Sequence, residues 1–182
     1  MPMLESAADL EKLRKDILAK RDPNKLCVTV CSGTGCHAYG CEGVGYDCVN
    51  HTKNKNLQPK VDVRKTGCHG FCERGTVVVI FPEEICYLHV KSDDVAEIVQ
   101  KTLIENKVID RLLYQDADAK KVVHEGEIPF YKHQNRIIFG NNRFIDPKNI
   151  DDYIALGGYS ALSKAFFQMT PEQVLAEVKE AN

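Results

Sequence analysis

Apolar residues recur at helical spacing over the first twenty positions. Leu10, Leu13, Ile17 and Leu18 form one stripe, and Ser6 with Asp9 is spaced as a capping box, so a helix is expected there, ending at Pro23. The period then shortens. Leu26 to Val30 is a compact hydrophobic run that predicts a central strand, and Val61 to Lys65 predicts a second. Between them, Cys36 to Val49 reads as a glycine-interrupted, irregular helix and Asn50 to Lys60 as a polar loop. Thr76 to Phe81 and Ile85 to Val90 are β-rich runs joined by Pro82, Glu83 and Glu84, the pattern of an antiparallel hairpin. Ser92, Asp93 and Asp94 then cap a helix whose Val95, Ile98, Val99, Thr102 and Leu103 should pack on the sheet.

After Tyr114 the periodicity lapses. The stretch DADAKKVVHEGEI is charged and aperiodic, and residues 115–128 read as a linker. Beyond it, Ile137 to Phe139 predicts a brief strand, and Asp146 followed by Pro147 predicts a helix start. That helix should stop at Gly157 and Gly158. Ser160 to Gln168 carries Ala161, Leu162, Ala165 and Phe166 on one face. Thr170, Pro171 and Gln173 open a last amphipathic helix through Val174, Leu175 and Val178. These small helices are too little chain to bury a core unaided, so a partner surface, or an oligomer through the C-terminal helices, is expected.

Composition narrows the function classes. A chain of 182 residues with 43% hydrophobic content has room for a sizeable core. A formal net charge of −2 argues against nucleic acid as partner, and the basic cluster Lys53, Lys55 and Lys60 reads as a solvated loop. No run approaches the roughly twenty apolar residues that would span a membrane. The N-terminus carries Glu5, Asp9 and Glu11 where a secretory signal would be basic and then apolar, so a cytoplasmic location is expected. In that reducing compartment the eight cysteines point to metal binding or redox chemistry more than to structural disulfides.

The cysteines are not scattered evenly. Cys31 and Cys36 form a CxxxxC pair, and Cys68 and Cys72 a CxxxC pair, each in a glycine-bearing loop at the end of a β-branched run. Four thiolates converging from two such loops suit a [2Fe–2S] cluster, in which each tetrahedral iron takes two protein sulfurs beside two bridging sulfides. Gly33, Gly35, Gly67 and Gly70 are expected to take positive φ and turn backbone N–H groups towards the anionic cluster. Competing readings of the same residues are structural zinc, a disulfide, buried thiols without a ligand, and a Rieske centre using His37 and His69. Zinc sites more often pair their ligands as CxxC. Both histidines directly follow a cysteine, which disfavours their aiming at the same metal, so they read as supporting or solvated groups.

The runs VTVCSGTGCHAYG, KTGCHGFCERGTVVVIFPEEICYLHV and SDDVAEIVQKTL resemble the thioredoxin-like [2Fe–2S] ferredoxin domain, which occurs in complex I and fused to the start of related flavoprotein subunits. The resemblance covers roughly residues 24 to 114. It implies an α/β thioredoxin-like sandwich, a four-stranded mixed sheet with flanking helices, as does the order helix, strand, helix, strand, strand, strand, helix. It also implies Cys31, Cys36, Cys68 and Cys72 as cluster ligands. Cys27, Cys41, Cys48 and Cys86 fall outside the pattern, and Cys41 stands out as a substitute ligand or reactive thiol.

A second run, RIIFGNNRFIDPKNIDDYIALGGYSALSKAFFQMTPEQVLAEVKEA, resembles the segment preceding the flavin domain in NADH-oxidising subunits of complex I and of NAD(P)-linked [FeFe] hydrogenases. Four segments are therefore expected: an N-terminal helix (1–23), the ferredoxin domain (24–114), the linker (115–128) and the start of a flavoprotein domain with a small helical appendage (129–182). FMN, NAD(H) and a [4Fe–4S] cluster are expected only in a further part of a parent protein, and other subunits of a multi-subunit oxidoreductase as partners. The alternatives are a cysteine-rich interaction module that binds zinc or no metal, and a thioredoxin-type thiol oxidoreductase. The latter would want a CxxC that neither pair supplies.

Overall fold

The structure, a computed structural model, describes residues 4–181 and divides into two compact units. The larger, Pro23–Lys148, is built on a four-stranded sheet of order β2-β1-β3-β4. Strand β1 (Leu26–Cys31) lies inside it, parallel to β2 (Val61–Thr66) and antiparallel to β3 (Val78–Phe81), which pairs antiparallel with β4 (Ile85–Tyr87). Val28 to Cys31 and Val77 to Ile80 are buried without alternation, as strands covered on both faces must be. This mixed sheet with flanking helices is a thioredoxin-like sandwich.

Helix α2 (Thr34–Ala38) is short and is followed at once by α3 (Cys41–Asn54). The turn between them passes through Gly40 at φ +83°, a conformation costly for any residue with a Cβ. The irregular helix expected over Cys36 to Val49 is thus two helices, and α3 takes up the start of the expected loop. Its Cys41, Val44, Cys48 and Thr52 make one buried stripe. Helix α4 (Ser92–Glu97) continues in wider π-helical turns over Ile98–Ile104, burying Val95, Ile98, Val99, Thr102 and Leu103. Its cap differs from the expected one: Lys91 holds the cap position, and its N–H donates to the Asp94 carboxylate (2.8 Å).

Residues 115–148 belong to this unit. Where a linker was expected, β5 (Tyr114–Gln115) pairs with β6 (Lys121–Val122), and Glu125 and Ile128 are buried, as is Tyr131 on the short helix α5 (Pro129–Lys132) that follows. Aperiodicity along the chain does not exclude burial when neighbours supply the partners. The strand expected at Ile137 to Phe139 is a turn whose Ile137 and Ile138 are 83% and 80% exposed, since no strand pairs with it.

The second unit, Met1–Asp22 with Asn149–Asn182, packs α1 (Ala7–Ala19) with α6 (Ile150–Ala155) and α7 (Ser160–Gln168). Leu10, Ile17 and Ile154 form its small core, while Leu18, expected on the buried stripe, is half-exposed. Ser6 caps α1, its hydroxyl accepting from the Asp9 N–H (3.2 Å). Arg14 donates to the Ile154 carbonyl (2.9 Å), and Arg21 pairs with buried Asp152 (2.6 Å). Asp146 and Pro147 do not start α6. Asp146 accepts from the Lys148 N–H in a turn, and Asn149 is the cap, accepting from the Asp151 N–H (3.0 Å). Gly158 packs against the Tyr153 ring, which meets Tyr159 edge to face (5.1 Å). Phe166, Phe167, Leu175 and Val178 on α7 and α8 (Pro171–Ala181) remain exposed.

Candidate metal centre

Cys31 closes β1 and Cys36 lies in the first turn of α2, so the strand-to-helix connection folds one thiol back on the other. Their sulfurs are 3.1 Å apart and both are buried. Cys68 and Cys72 lie in the connection that leaves β2, with sulfurs 3.5 Å apart. Cys72 is exposed and Cys68 half-buried. All eight cysteines are unbridged.

The two loops meet through glycines. A Cβ on Gly33 would stand 2.8 Å from the Cys68 Cβ, and one on Gly35 would stand 3.0 Å from the Cys72 Cβ. Gly75 is equally confined, its Cβ position being 3.1 Å from the Cys36 sulfur. Of the four glycines expected at positive φ, only Gly70 (φ +90°) adopts it, and its N–H donates to the Cys68 sulfur (3.3 Å). Gly33 sits at φ −67°, so close approach of the loops, not backbone conformation, requires glycine there.

The electrostatics single out one thiolate, in the buried pair. Cys31 is pulled down to about 5, first by its hydrogen bond with Cys36, with the nearby His69 and the backbone N–H groups of Gly33 and His69 adding to the effect. Cys36 keeps the shared proton and is pushed up by that same bond and by burial. Burial also raises Cys68 to about 11 and Cys48 to about 12, and it raises Cys41 and Cys86. Outside the two pairs, Cys41, Cys48 and Cys86 are thus held as buried thiols, an environment that keeps cysteine inert.

Four sulfurs about 2.3 Å from a single tetrahedral zinc would lie roughly 3.8 Å from one another. Among the described residues, the one group of three metal-ligating side chains with donor atoms all within 4.8 Å is His37, Cys41 and Glu42, and no three of the paired thiols meet that limit. Glu42 in that group is already held by Lys65 (2.5 Å). Two close sulfur pairs on adjoining loops suit a dinuclear cluster taking two thiolates per iron.

The two histidines differ. His37 is exposed, whereas His69 is fully buried, its Nε2 2.9 Å from the Thr66 hydroxyl and its Nδ1 3.4 Å from the carboxylate of buried Glu125. Glu125 is paired with Arg143, which also reaches Glu84 (3.1 Å). Burial pushes the Glu125 carboxyl up, but His69 and Arg143 outweigh it and hold the group below its usual range. Phe71 points inward and stacks on Phe130 (4.1 Å), leaving Glu73 and Arg74 on the surface. Nothing in the sequence singled out Glu125, Arg136, Asn142 or Arg143, because ordinary polar residues in an aperiodic stretch carry no signal of burial.

No family model matches the chain. A 2Fe-2S ferredoxin of Clostridium pasteurianum is 41% identical over 59 residues, 32% of this chain and 58% of that protein. The NADP-reducing hydrogenase subunit HndC of Solidesulfovibrio fructosivorans is 52% identical over 50 residues, 28% of this chain and 10% of the subunit. A solved thioredoxin-like [2Fe–2S] ferredoxin from Aquifex aeolicus aligns with a TM-score of 0.46 and 28% identity over 49% of this chain and 89% of that one. The chain thus spans less than two thirds of these curated relatives. Its larger unit has the strand order of a thioredoxin-like sandwich and is similar in sequence to [2Fe–2S] ferredoxins. In sequence this domain is similar to part of a hydrogenase subunit as well as to free-standing ferredoxins.

Proposed function

We propose that this chain is a one-electron relay, the [2Fe–2S] module of an NAD(P)H-oxidising flavoprotein of the NADH dehydrogenase or hydrogenase type, with Cys31, Cys36, Cys68 and Cys72 as the cluster ligands. The carrying observation is the pair of close thiol sets, 3.1 and 3.5 Å between sulfurs, brought together across Gly33 and Gly35. A cluster bound there supplies one-electron transfer at low potential. The protein's part is to hold two thiolates per metal, to donate backbone N–H groups to sulfur, and to bury one pair while leaving the other near solvent. Cys72 is the sulfur a redox partner can approach most closely, with Glu73 and Arg74 beside it.

On this reading residues 24–114 carry the transfer, and FMN, NAD(H) and a [4Fe–4S] cluster belong to other parts of the parent protein. The exposed apolar faces of α7 and α8 are contact surfaces for the flavoprotein body, for other subunits or for a second copy. A cytoplasmic location agrees with eight unbridged cysteines. The test is serine substitution with iron analysis and EPR of the reduced protein. Cys31→Ser, Cys36→Ser, Cys68→Ser and Cys72→Ser should each abolish the signal or sharply lower iron content, while Cys27→Ser, Cys48→Ser and Cys86→Ser retain both. A normal signal from any of the first four would remove that residue from the ligand set.

A further inference from the structure

The two thiol pairs are held by different means. Cys31 belongs to a central strand and Cys36 to a helix, so regular backbone hydrogen bonds fix the first pair. Cys68 lies in irregular chain between β2 and the single 3₁₀ turn at Cys72–Arg74, where no ladder reaches it. Its loop nevertheless has partners at almost every residue, and they come from a stretch well beyond the segment that resembles ferredoxins. The Gly67 N–H donates to the Ile145 carbonyl (3.3 Å). The Cys68 carbonyl accepts from the Asn142 side-chain amide (3.3 Å), and the His69 carbonyl from the Arg136 guanidinium (3.5 Å). The His69 ring faces Glu125, and Phe71 stacks on Phe130.

The same stretch is internally braced. Glu125 is fully buried and paired with Arg143, its other oxygen lies 3.9 Å from Arg136, and Arg136 in turn covers the Tyr131 ring (4.5 Å). Two buried polar atoms, His69 Nδ1 and Glu125 Oε1, have no hydrogen-bond partner. They face each other at 3.4 Å, each the nearest polar group able to satisfy the other. A buried carboxylate between two arginines is costly to assemble, and breaking it leaves a charge uncompensated, so the arrangement has one well-defined geometry.

We propose that Glu125 and the segment 136–145 form a strap that presets the Cys68–Cys72 loop, with Glu125, Asn142 and Arg136 as positioning residues for the second thiolate pair. The inference rests on the assignment of Cys68 and Cys72 as cluster ligands. The strap holds the Gly67, Cys68 and His69 backbone in place before metal arrives, so less chain must be ordered on binding.

The test uses the full chain and three variants: Asn142→Ala, Glu125→Gln and, as control, Glu127→Gln, whose side chain is exposed. Amide hydrogen exchange is measured on metal-free protein, and iron release to a chelator together with EPR g-values on loaded protein. Asn142→Ala removes one hydrogen bond, worth about fivefold in the exchange of residues 67–72 and in iron release, with Val28 to Val30 unchanged. Glu125→Gln should exceed that and shift the g-values, and the control should match wild type. Wild-type exchange and release in both Asn142→Ala and Glu125→Gln would overturn the strap. So would equal acceleration of loop and strand, which reports general loss of stability. Should Glu125→Gln fail to fold, Asn142→Ala decides alone. Should the wild-type protein bind no iron, the cluster reading falls while exchange in the metal-free protein still decides the strap.

Discussion

Replacing Gly33 by alanine tests the central geometric claim, that the two thiol loops touch. Gly33 sits at φ −67° and ψ 163°, a conformation open to any residue, so alanine brings no backbone strain. The added methyl would lie 2.8 Å from the Cys68 Cβ, 3.2 Å from its Cα and 3.3 Å from its sulfur. Carbon atoms rest at about 3.5–4.0 Å, and neither Cα nor Cβ can rotate away, so the loops must part by several tenths of an ångström. Overpacking of this kind costs about 1–3 kcal/mol, offset by about 0.4–1 kcal/mol because alanine restricts the unfolded chain. A net loss of about 1–2 kcal/mol follows, read by urea unfolding, together with a fall in iron bound per chain. Gly40→Ala is the matched control. At φ +83° it costs about 1–2 kcal/mol of backbone strain, but nothing lies within 4 Å of its Cβ, so stability should fall while iron content holds. A Gly33→Ala protein as stable and as iron-rich as wild type would refute the contact.

Three further outcomes follow from the same structure. On the proposed four-thiolate ligation, with Cys72 exposed to solvent, the midpoint potential should be roughly −400 mV, and a redox titration returning a value above about −150 mV would discard all-cysteine ligation. Ile98→Ala, at a fully buried position behind the sheet, should cost about 2–5 kcal/mol in urea unfolding, and a loss well under 1 kcal/mol would mean the site collapses freely. The Ser6 hydroxyl and the Glu5 backbone N–H hold the Asp9 carboxyl below its usual 3.8. Because the folded value is the lower one, the stabilisation is complete above 3.8 and is lost as pH falls through the folded value, so amide protection in α1 should drop in acid and Asp9→Asn should lose that dependence. Unchanged protection of α1 across that acid range would contradict it.

Much of the larger unit was legible from local pattern. Strands β1 and β2, the hairpin and α4 announce themselves through period and turn residues, since their buried faces need apolar side chains at fixed intervals. The thiol pairs were legible because each falls within one short loop, and that spacing alone was enough to group Cys31 with Cys36 and Cys68 with Cys72. Local pattern misled where an outcome depended on a neighbour. Ile137 to Phe139 has strand chemistry but no strand to pair with, and Asp146 lost the helix start to Asn149, which lies three residues further on and accepts from the Asp151 N–H. Phe71 is buried because Phe130 supplies a surface to stack on. Only the tertiary structure decided that Gly33 and Gly35 are glycine for want of space against Cys68 and Cys72. It also brought Glu125, Arg136, Asn142 and Arg143 under the second loop. Contacts between residues 67 to 74 positions apart leave no periodic trace, because a polar side chain reads the same whether water or a buried carbonyl satisfies it.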